Sequence, residues 1–190
     1  MHYHAEIWVP EGQNIGEAVA AAMAPFDENV DYETGFWDWY QIGGRYTGRH
    51  DAEYDPESDP ANIEECKQCG GTGFRSDNLG KDARKANPTY TCNGCGTRDE
   101  NGVWGHGPHG PGKSVKSPTS WARYDGDVMP VEKLEDGLTC YTLIVGDTVF
   151  HQEKWTGEAW EKTGFDGAVL PKLKELGIAD GVLVTVDYHS

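Results

Sequence analysis

From His2 to Val9 the side chains alternate. Tyr3, Ala5, Ile7 and Val9 fall on one side of an extended chain, and His2, His4, Glu6 and Trp8 on the other. Alternation with a period of two predicts a half-buried strand. Pro10-Glu11-Gly12 breaks it. Asn14, followed three residues later by Glu17, has the form of a capping box. It predicts a helix that starts at Ile15, runs through the alanines and stops before Pro25. Beyond an acidic loop, Asp27 to Glu33, lies the most aromatic stretch, Gly35-Phe36-Trp37-Asp38-Trp39-Tyr40-Gln41-Ile42-Gly43-Gly44-Arg45-Tyr46. Its first half suits a strand with Trp37 and Trp39 on one face. Gly43-Gly44 suits a tight turn or a close backbone approach.

Regular pattern returns after Trp121. Thr139–Val145 and Thr148–Glu153 read as two strands around Gly146-Asp147, a hairpin signal that sets Val145 opposite Thr148 and Leu143 opposite Phe150. Gly164-Phe165-Asp166 leads into a helix carrying Leu170, Leu173 and Leu176, with Pro171 near its start and Gly177 as its C-terminal cap. Val182 to His189 alternates again and forms the last strand. The order strand, helix, strand, long insertion, hairpin, helix, strand predicts an α+β fold. The expected form is a ferredoxin-like sandwich, an antiparallel sheet with two helices on one face and an inserted zinc-knuckle module.

Charge divides the chain in the same places. The net charge is −16 over 190 residues. Residues 1–65 hold fifteen acids and two bases, residues 66–123 four acids and nine bases, and residues 124–190 thirteen acids and five bases. A basic segment thus interrupts an acidic body. The predicted organisation is a discontinuous α+β domain (1–48 plus 121–190), an acidic linker (49–65) with Pro56 and Pro60, a four-cysteine module (66–100), and a Gly/Pro-rich linker (101–120). That second linker holds His106 and His109, read as exposed loop residues. No apolar run approaches a membrane span and no signal peptide is evident, so no membrane partner is expected and a reducing cytoplasm is the expected setting.

The strongest chemical signal is Cys66-Lys67-Gln68-Cys69, then twenty-two residues, then Cys92-Asn93-Gly94-Cys95. Each C-x-x-C turn aims two thiolates at one point, and two turns complete the tetrahedral set that Zn²⁺ prefers. Gly70 and Gly96 follow the knuckles. Four protein ligands leave no open position, so one structural Zn²⁺ held by Cys66, Cys69, Cys92 and Cys95 is expected. Two disulfides or a redox pair are the competing readings. Few apolar residues, mainly Phe74, Leu79 and Tyr90, accompany the knuckles. The metal would then supply most of the folding free energy, on the order of 10 kcal/mol or more. Cys140 lies in a strand pattern and reads as a buried free thiol.

Cys66-Lys67-Gln68-Cys69-Gly70-Gly71-Thr72-Gly73 resembles the C-x-x-C-x-G-x-G repeat of the DnaJ cysteine-rich zinc region. Cys92-Asn93-Gly94-Cys95-Gly96 is similar but continues as Thr97-Arg98, without the last glycine. DnaJ carries four such repeats and two zincs, whereas this chain has two repeats, and it lacks the J-domain His-Pro-Asp signature. Single-zinc segments of this type resemble those of small, uncharacterised bacteriophage proteins often labelled DnaJ-like, and the W-x-W-Y-x-I-G-G-R run is also similar to stretches in phage proteins. The resemblance covers about thirty residues. It implies a zinc fold and a phage-encoded protein acting in the host cytoplasm; it does not imply chaperone activity.

No nucleophile elbow, P-loop, dinucleotide fingerprint or zinc-protease helix occurs. The leading expectation is a non-enzymatic, zinc-containing binding or adaptor protein that engages a host or phage macromolecule. Its acidic body suits a basic protein surface, and its basic module suits a nucleic-acid contact. Four thiolates and one Zn²⁺ would take the 66–123 segment from +5 to +3, still positive. Two alternatives come from the residues. Trp37, Trp39 and Arg45, with Arg49 nearby, could bind a small molecule or nucleotide by stacking and anion pairing, or could form an aromatic core cluster. A sheet face collecting His2, His4, Glu6, Asp187 and His189, with His151 near, could serve a hydrolase with His4, Glu6, His151 and His189 as catalytic candidates, or be a solvated polar face.

Overall fold

The computed structural model describes residues 1–102, 104–121 and 124–190. In chain order the elements are β1 (His2–Val9), α1 (Ile15–Met23), β2 (Trp39–Ile42), β3 (Ile63–Glu65), α2 (Asn78–Ala86), β4 (Gly96–Arg98), β5 (Trp104–His106), β6 (Lys113–Val115), β7 (Val128–Pro130), β8 (Thr142–Val145), β9 (Thr148–His151), β10 (Glu153–Trp155), β11 (Trp160–Lys162), α3 (Val169–Glu175) and β12 (Val182–His189). The fold is mixed α+β, mostly sheet. It divides into two compact units, Met1–Tyr54 with Trp121–Ser190, and Asp55–Ser120. None of the helices among the described residues is long and apolar enough to cross a membrane.

The first unit is built on a sheet of order β2-β12-β1-β8-β9, with β7 sharing the edge of β12 that β2 also uses. β1 and β12 run antiparallel over their whole length, from His2 opposite His189 to Val9 opposite Val182. β1 and β8 are parallel. The β8–β9 hairpin has the predicted register, Val145 opposite Thr148 and Leu143 opposite Phe150. Gly146 takes a φ of 57° in its turn.

This strand order is not that of a ferredoxin-like sandwich. There, the strand after the first helix would lie beside β8. Here β8 spends that edge on its own hairpin partner, the contact with the shortest loop to close. β2 pairs instead with the far side of β12, Ile42 opposite Val186 and Trp39 opposite His189.

The helices also lie on opposite faces rather than one. Val19 and Met23 of α1 pack with Ala5, Ile7, Val9, Ile144, Val184 and Val186. Val169 and Leu173 of α3 pack with Leu143, Leu183, Val131, Cys140 and Phe165. β8 and β12 carry apolar residues at successive positions, Leu143-Ile144 and Leu183-Val184, so this part of the sheet is apolar on both sides. Each side needs its own cover.

Local signals explain the helix ends. The Asn14 side chain accepts from the Glu17 amide, which caps α1. Pro171 falls in the first turn of α3, where its missing N–H leaves no bond unmade. Gly177 has a φ of 73°. The amides of Gly177 and Ile178 donate to the carbonyls of Lys174 and Leu173, which is a Schellman closure with Ile178 folded back onto the α3 core.

The second unit has two small ribbons, β3 with β6 and β4 with β5, and the helix α2, capped by the Asp77 carboxylate on the Gly80 amide. Both stretches expected as linkers are largely built into the units. His50, Asp51 and Tyr54 belong to the first, where Tyr54 stacks on Tyr124 at 3.8 Å. Ile63–Glu65 and Lys113–Val115 pair with each other, and Trp104–His106 pairs with Gly96–Arg98. A segment with few apolar side chains uses backbone pairing in place of a hydrophobic core. Val103, inside the second stretch, lies outside the described residues.

Candidate metal centre and the buried histidine–carboxylate network

β3 delivers Cys66, whose amide donates to the Gly112 carbonyl at 2.8 Å; the Cys92 amide donates to Gly73 at the same distance. Each knuckle then closes in the same way. The amides of Cys69 and Gly70 donate to the Cys66 carbonyl at 3.3 and 2.9 Å, and those of Cys95 and Gly96 to the Cys92 carbonyl at 3.3 and 2.7 Å. The two glycines serve different needs. Gly70 has a φ of 58° and open space around it, whereas a Cβ on Gly96 would stand 2.7 Å from the carbonyl oxygens of Cys92 and Gly105.

The four sulfurs lie within 4.8 Å of one another. The Cys66–Cys92 pair is 3.9 Å apart and the Cys69–Cys95 pair 3.8 Å. A tetrahedral ion with sulfur ligands at about 2.3 Å sets sulfurs roughly 3.8 Å apart, while a disulfide needs about 2.05 Å. All five cysteines are free, and all are buried. Burial first, then the neighbouring sulfurs, push the Cys95 thiol up to about 12, and burial also raises Cys92. Against its burial, hydrogen bonds from the Gly73 amide and the adjacent sulfurs lower Cys69. Thiolates gathered this closely favour a cation among them. The cluster can hold a metal ion. Among the described residues it is the one group of three or more histidine, cysteine or carboxylate ligands drawn this close.

A second polar cluster lies on the α3 side of the sheet in the first unit. Glu6 is fully buried. Its Oε1 meets His4 Nε2 at 2.7 Å and accepts from Thr185 Oγ1 at 2.9 Å, and its Oε2 meets His50 Nε2 at 3.2 Å. Burial alone would raise the Glu6 carboxyl. Hydrogen bonds from His4 and His50, with the charge of both rings, outweigh it and hold the group at about 2. For His50 burial acts downward, and the Glu6 hydrogen bond and charge, aided by Asp127, prevail and raise it. The Tyr46 ring stacks on His4 at 4.9 Å.

The glycine run Gly43-Gly44 explains how the chain covers this cluster. Two buried carboxylates, Asp127 and Asp187, hold the loop from Gly43 to Gly48. Asp187 accepts from the Arg45 amide at 3.0 Å and binds His2 Nδ1 at 2.8 Å. Asp127 accepts from the Thr47 hydroxyl at 2.6 Å and the Gly48 amide at 2.8 Å. A Cβ on Gly43 would come within 2.3 Å of Asp127 Oδ2, and one on Gly44 within 2.6 Å of Asp187 Cβ. Any side chain at either position would lift the loop off the carboxylates.

The structure places the candidate residues as follows. Trp37 and Trp39 lie on opposite faces, because the chain enters the sheet only at Trp39. Trp37 is buried in the α1-side core, its indole N–H donating to the Met23 carbonyl at 2.9 Å. Trp39 is half-buried, edge-on to His2 at 5.7 Å. Arg45 binds through its amide, and its side chain is exposed. His4 and Glu6 are together and buried. His189 is exposed and bonded to Asp38 at 2.8 Å. His151 is away from them on the α1 side. There its Nδ1 meets Thr142 Oγ1 at 2.9 Å, and burial lowers it to about 4. His50, Thr185 and Asp127 complete the network without having stood out in the sequence. For His50 the available signal was its position just after the glycine-rich loop Gly43–Gly48. Comparison with protein-family models, with curated proteins and with solved structures finds no match, so the resemblance to cysteine-rich zinc segments rests on the motif residues alone.

Proposed function

We propose that the chain is a non-enzymatic binding protein whose second unit is held in shape by one structural Zn²⁺ on Cys66, Cys69, Cys92 and Cys95. The observation that carries this reading is the sulfur cluster: four buried thiols at the separations a tetrahedral thiolate site requires, with all four positions supplied by the protein. Such a centre shapes a surface and leaves no place for a substrate. The histidine–glutamate network is likewise saturated, since every buried side-chain nitrogen or oxygen among the described residues has a hydrogen-bond partner. It serves as scaffold.

Charge indicates the kind of partner. The first unit holds 23 acids and eight bases, and the second nine acids and eight bases. The acidic first unit suits a protein with a basic surface. In the second unit Arg84 lies over the Phe74 ring and Arg98 over the Trp104 ring, each at 5.4 Å. These guanidinium groups are held in place before any acidic macromolecule, such as a nucleic acid, is met.

The test is metal analysis of the purified chain, followed by amide exchange before and after chelation. One zinc per chain is expected, with exchange protection lost in 55–120 and kept in the first unit. A metal-free preparation that keeps full protection of 55–120 would overturn the reading. A partner bound non-covalently to the native protein is expected to release on chelation if it uses the second unit, and to release with salt alone if it uses the first.

A further inference from the structure

Where β1 and β12 end, two histidines stand side by side outside the buried network. We propose that His2 and His189 form a second metal site, open to solvent, for a borderline divalent cation of the Zn²⁺, Ni²⁺, Co²⁺ or Cu²⁺ type. The β1–β12 register sets His2 directly opposite His189, so both side chains rise from the same face of the sheet with their Cβ atoms about 5 Å apart. Their ring centres are 5.3 Å apart and the planes cross at 68°. Two imidazoles on one ion, with metal–nitrogen distances of about 2.1 Å and a tetrahedral angle between them, have ring centres roughly 5.3 Å apart.

The second observation is what each ring does with its other nitrogen. His2 Nδ1 is bonded to Asp187 Oδ1 and His189 Nδ1 to Asp38 Oδ1, both at 2.8 Å. A carboxylate on Nδ1 keeps the proton there and leaves the lone pair on Nε2. Histidines that bind metals are oriented and made more basic in this way. Asp187 is itself fixed by the Arg45 amide on its other oxygen, and Trp39 packs edge-on against His2. The two carboxylates also place negative charge behind the rings, which favours a cation in front of them.

Access separates this pair from the other histidines of the same face. The side chains of His2 and His189 are 20% and 41% exposed, against 7% and 1% for His4 and His50. Two imidazole ligands leave the remaining positions to water or to an exogenous carboxylate or phosphate. The site therefore differs from the thiolate cluster in kind. It holds its ion more weakly, exchanges it readily and prefers imidazole-binding metals.

The experiment uses the full chain with its cysteine site loaded with zinc, titrated with Cu²⁺ at pH 7.5 and followed by paramagnetic resonance and calorimetry. One further equivalent is expected, with hyperfine splitting from two imidazole nitrogens and no loss of zinc. His189→Ala should weaken that binding at least tenfold, and His2→Ala with His189→Ala should abolish it. Asp38→Asn keeps both rings and should weaken it ~10- to 100-fold. Circular dichroism and melting temperature verify that each variant is folded. No second equivalent, or a second equivalent unchanged in the double variant, overturns the proposal, as does binding that disappears only with His106→Ala or His109→Ala.

Discussion

Replacing Glu6 by Gln tests the buried network through its pH dependence. Glu6 moves from an ordinary value of 4.5 to about 2 in the folded protein. At ~1.4 kcal/mol per pH unit, that difference contributes about 3 kcal/mol of stability. The value is depressed, so the contribution is fully present above pH 4.5 and is lost as the pH falls toward 2. His50 acts in the other direction. Its folded value is raised above 6.5, so its contribution is present below 6.5 and is lost as the pH rises through the folded value. Together they predict a stability maximum for this network between about pH 4.5 and 6.5, with a decline on each side. Glu6→Gln keeps the shape of the site but removes the charge on which both limbs depend, and it puts an NH₂ donor where one of the two accepting oxygens stood. Urea unfolding of the two proteins from pH 3 to 8 is the assay, and the difference between them is the quantity to read. Zinc release and other carboxylates affect both proteins alike and cancel. The difference should be about 3 kcal/mol near pH 5.5 and should shrink toward pH 3 and toward pH 8. A difference that is flat across this range would mean that Glu6 is not held as a carboxylate between two histidines, and the electrostatic account of the network would be wrong.

Other consequences are local. Gly44→Ala should destabilise the first unit by about 2 kcal/mol or more, because a φ of 57° combines with a Cβ 2.6 Å from Asp187. Gly146→Ala, at the same φ in open space, should cost only about 1 kcal/mol by the same unfolding assay. Trp37→Ala should cost about 3–5 kcal/mol as a core truncation, and Trp39→Ala about 1 kcal/mol for a lost edge contact; equal costs in urea would refute their placement on opposite faces. Deleting residues 55–120 and joining Tyr54 to Trp121 through a short Gly/Ser linker should leave a cooperatively unfolding domain, since the Tyr54–Tyr124 stack already brings the ends of the first unit together. Loss of the cooperative transition in calorimetry would show that the first unit depends on the second.

What could be read from the sequence was what depends on near neighbours. The alternation of β1 and β12, the Asn14 cap, the Gly146 turn with its register and the Gly177 closure each follow from residues within a few positions of one another, and each is in the structure as the pattern predicts. The cysteine knuckles were legible for the same reason: every C-x-x-C is a local turn, and only the meeting of the two is long-range. Strand order is a different kind of fact. Nothing in Trp39–Ile42 says which edge it will join. That depends on β8 having closed its own edge with a hairpin and on β12 still having one free. The helix faces were not legible either: Leu143 and Ile144, like Leu183 and Val184, point to opposite faces, so both sides of the sheet are apolar there and no local signal tells a helix which one to cover. The glycine-rich loop just before His50 hints at an unusual backbone there, but nothing in the sequence around it points to Glu6. Its place at Glu6 is set forty-four residues away, by a loop that two glycines allow to press against Asp127 and Asp187. The two glycines and the two aspartates make one device, and each half by itself reads as something ordinary: a turn in one place, a surface charge in the other. A pair of exposed tryptophans, Trp155 and Trp160, makes the opposite point. They face each other across the β10–β11 hairpin with ring centres 5.6 Å apart, and no apolar alternation announces them. There the cross-strand ring contact itself holds a three-residue ribbon whose other side chains are charged.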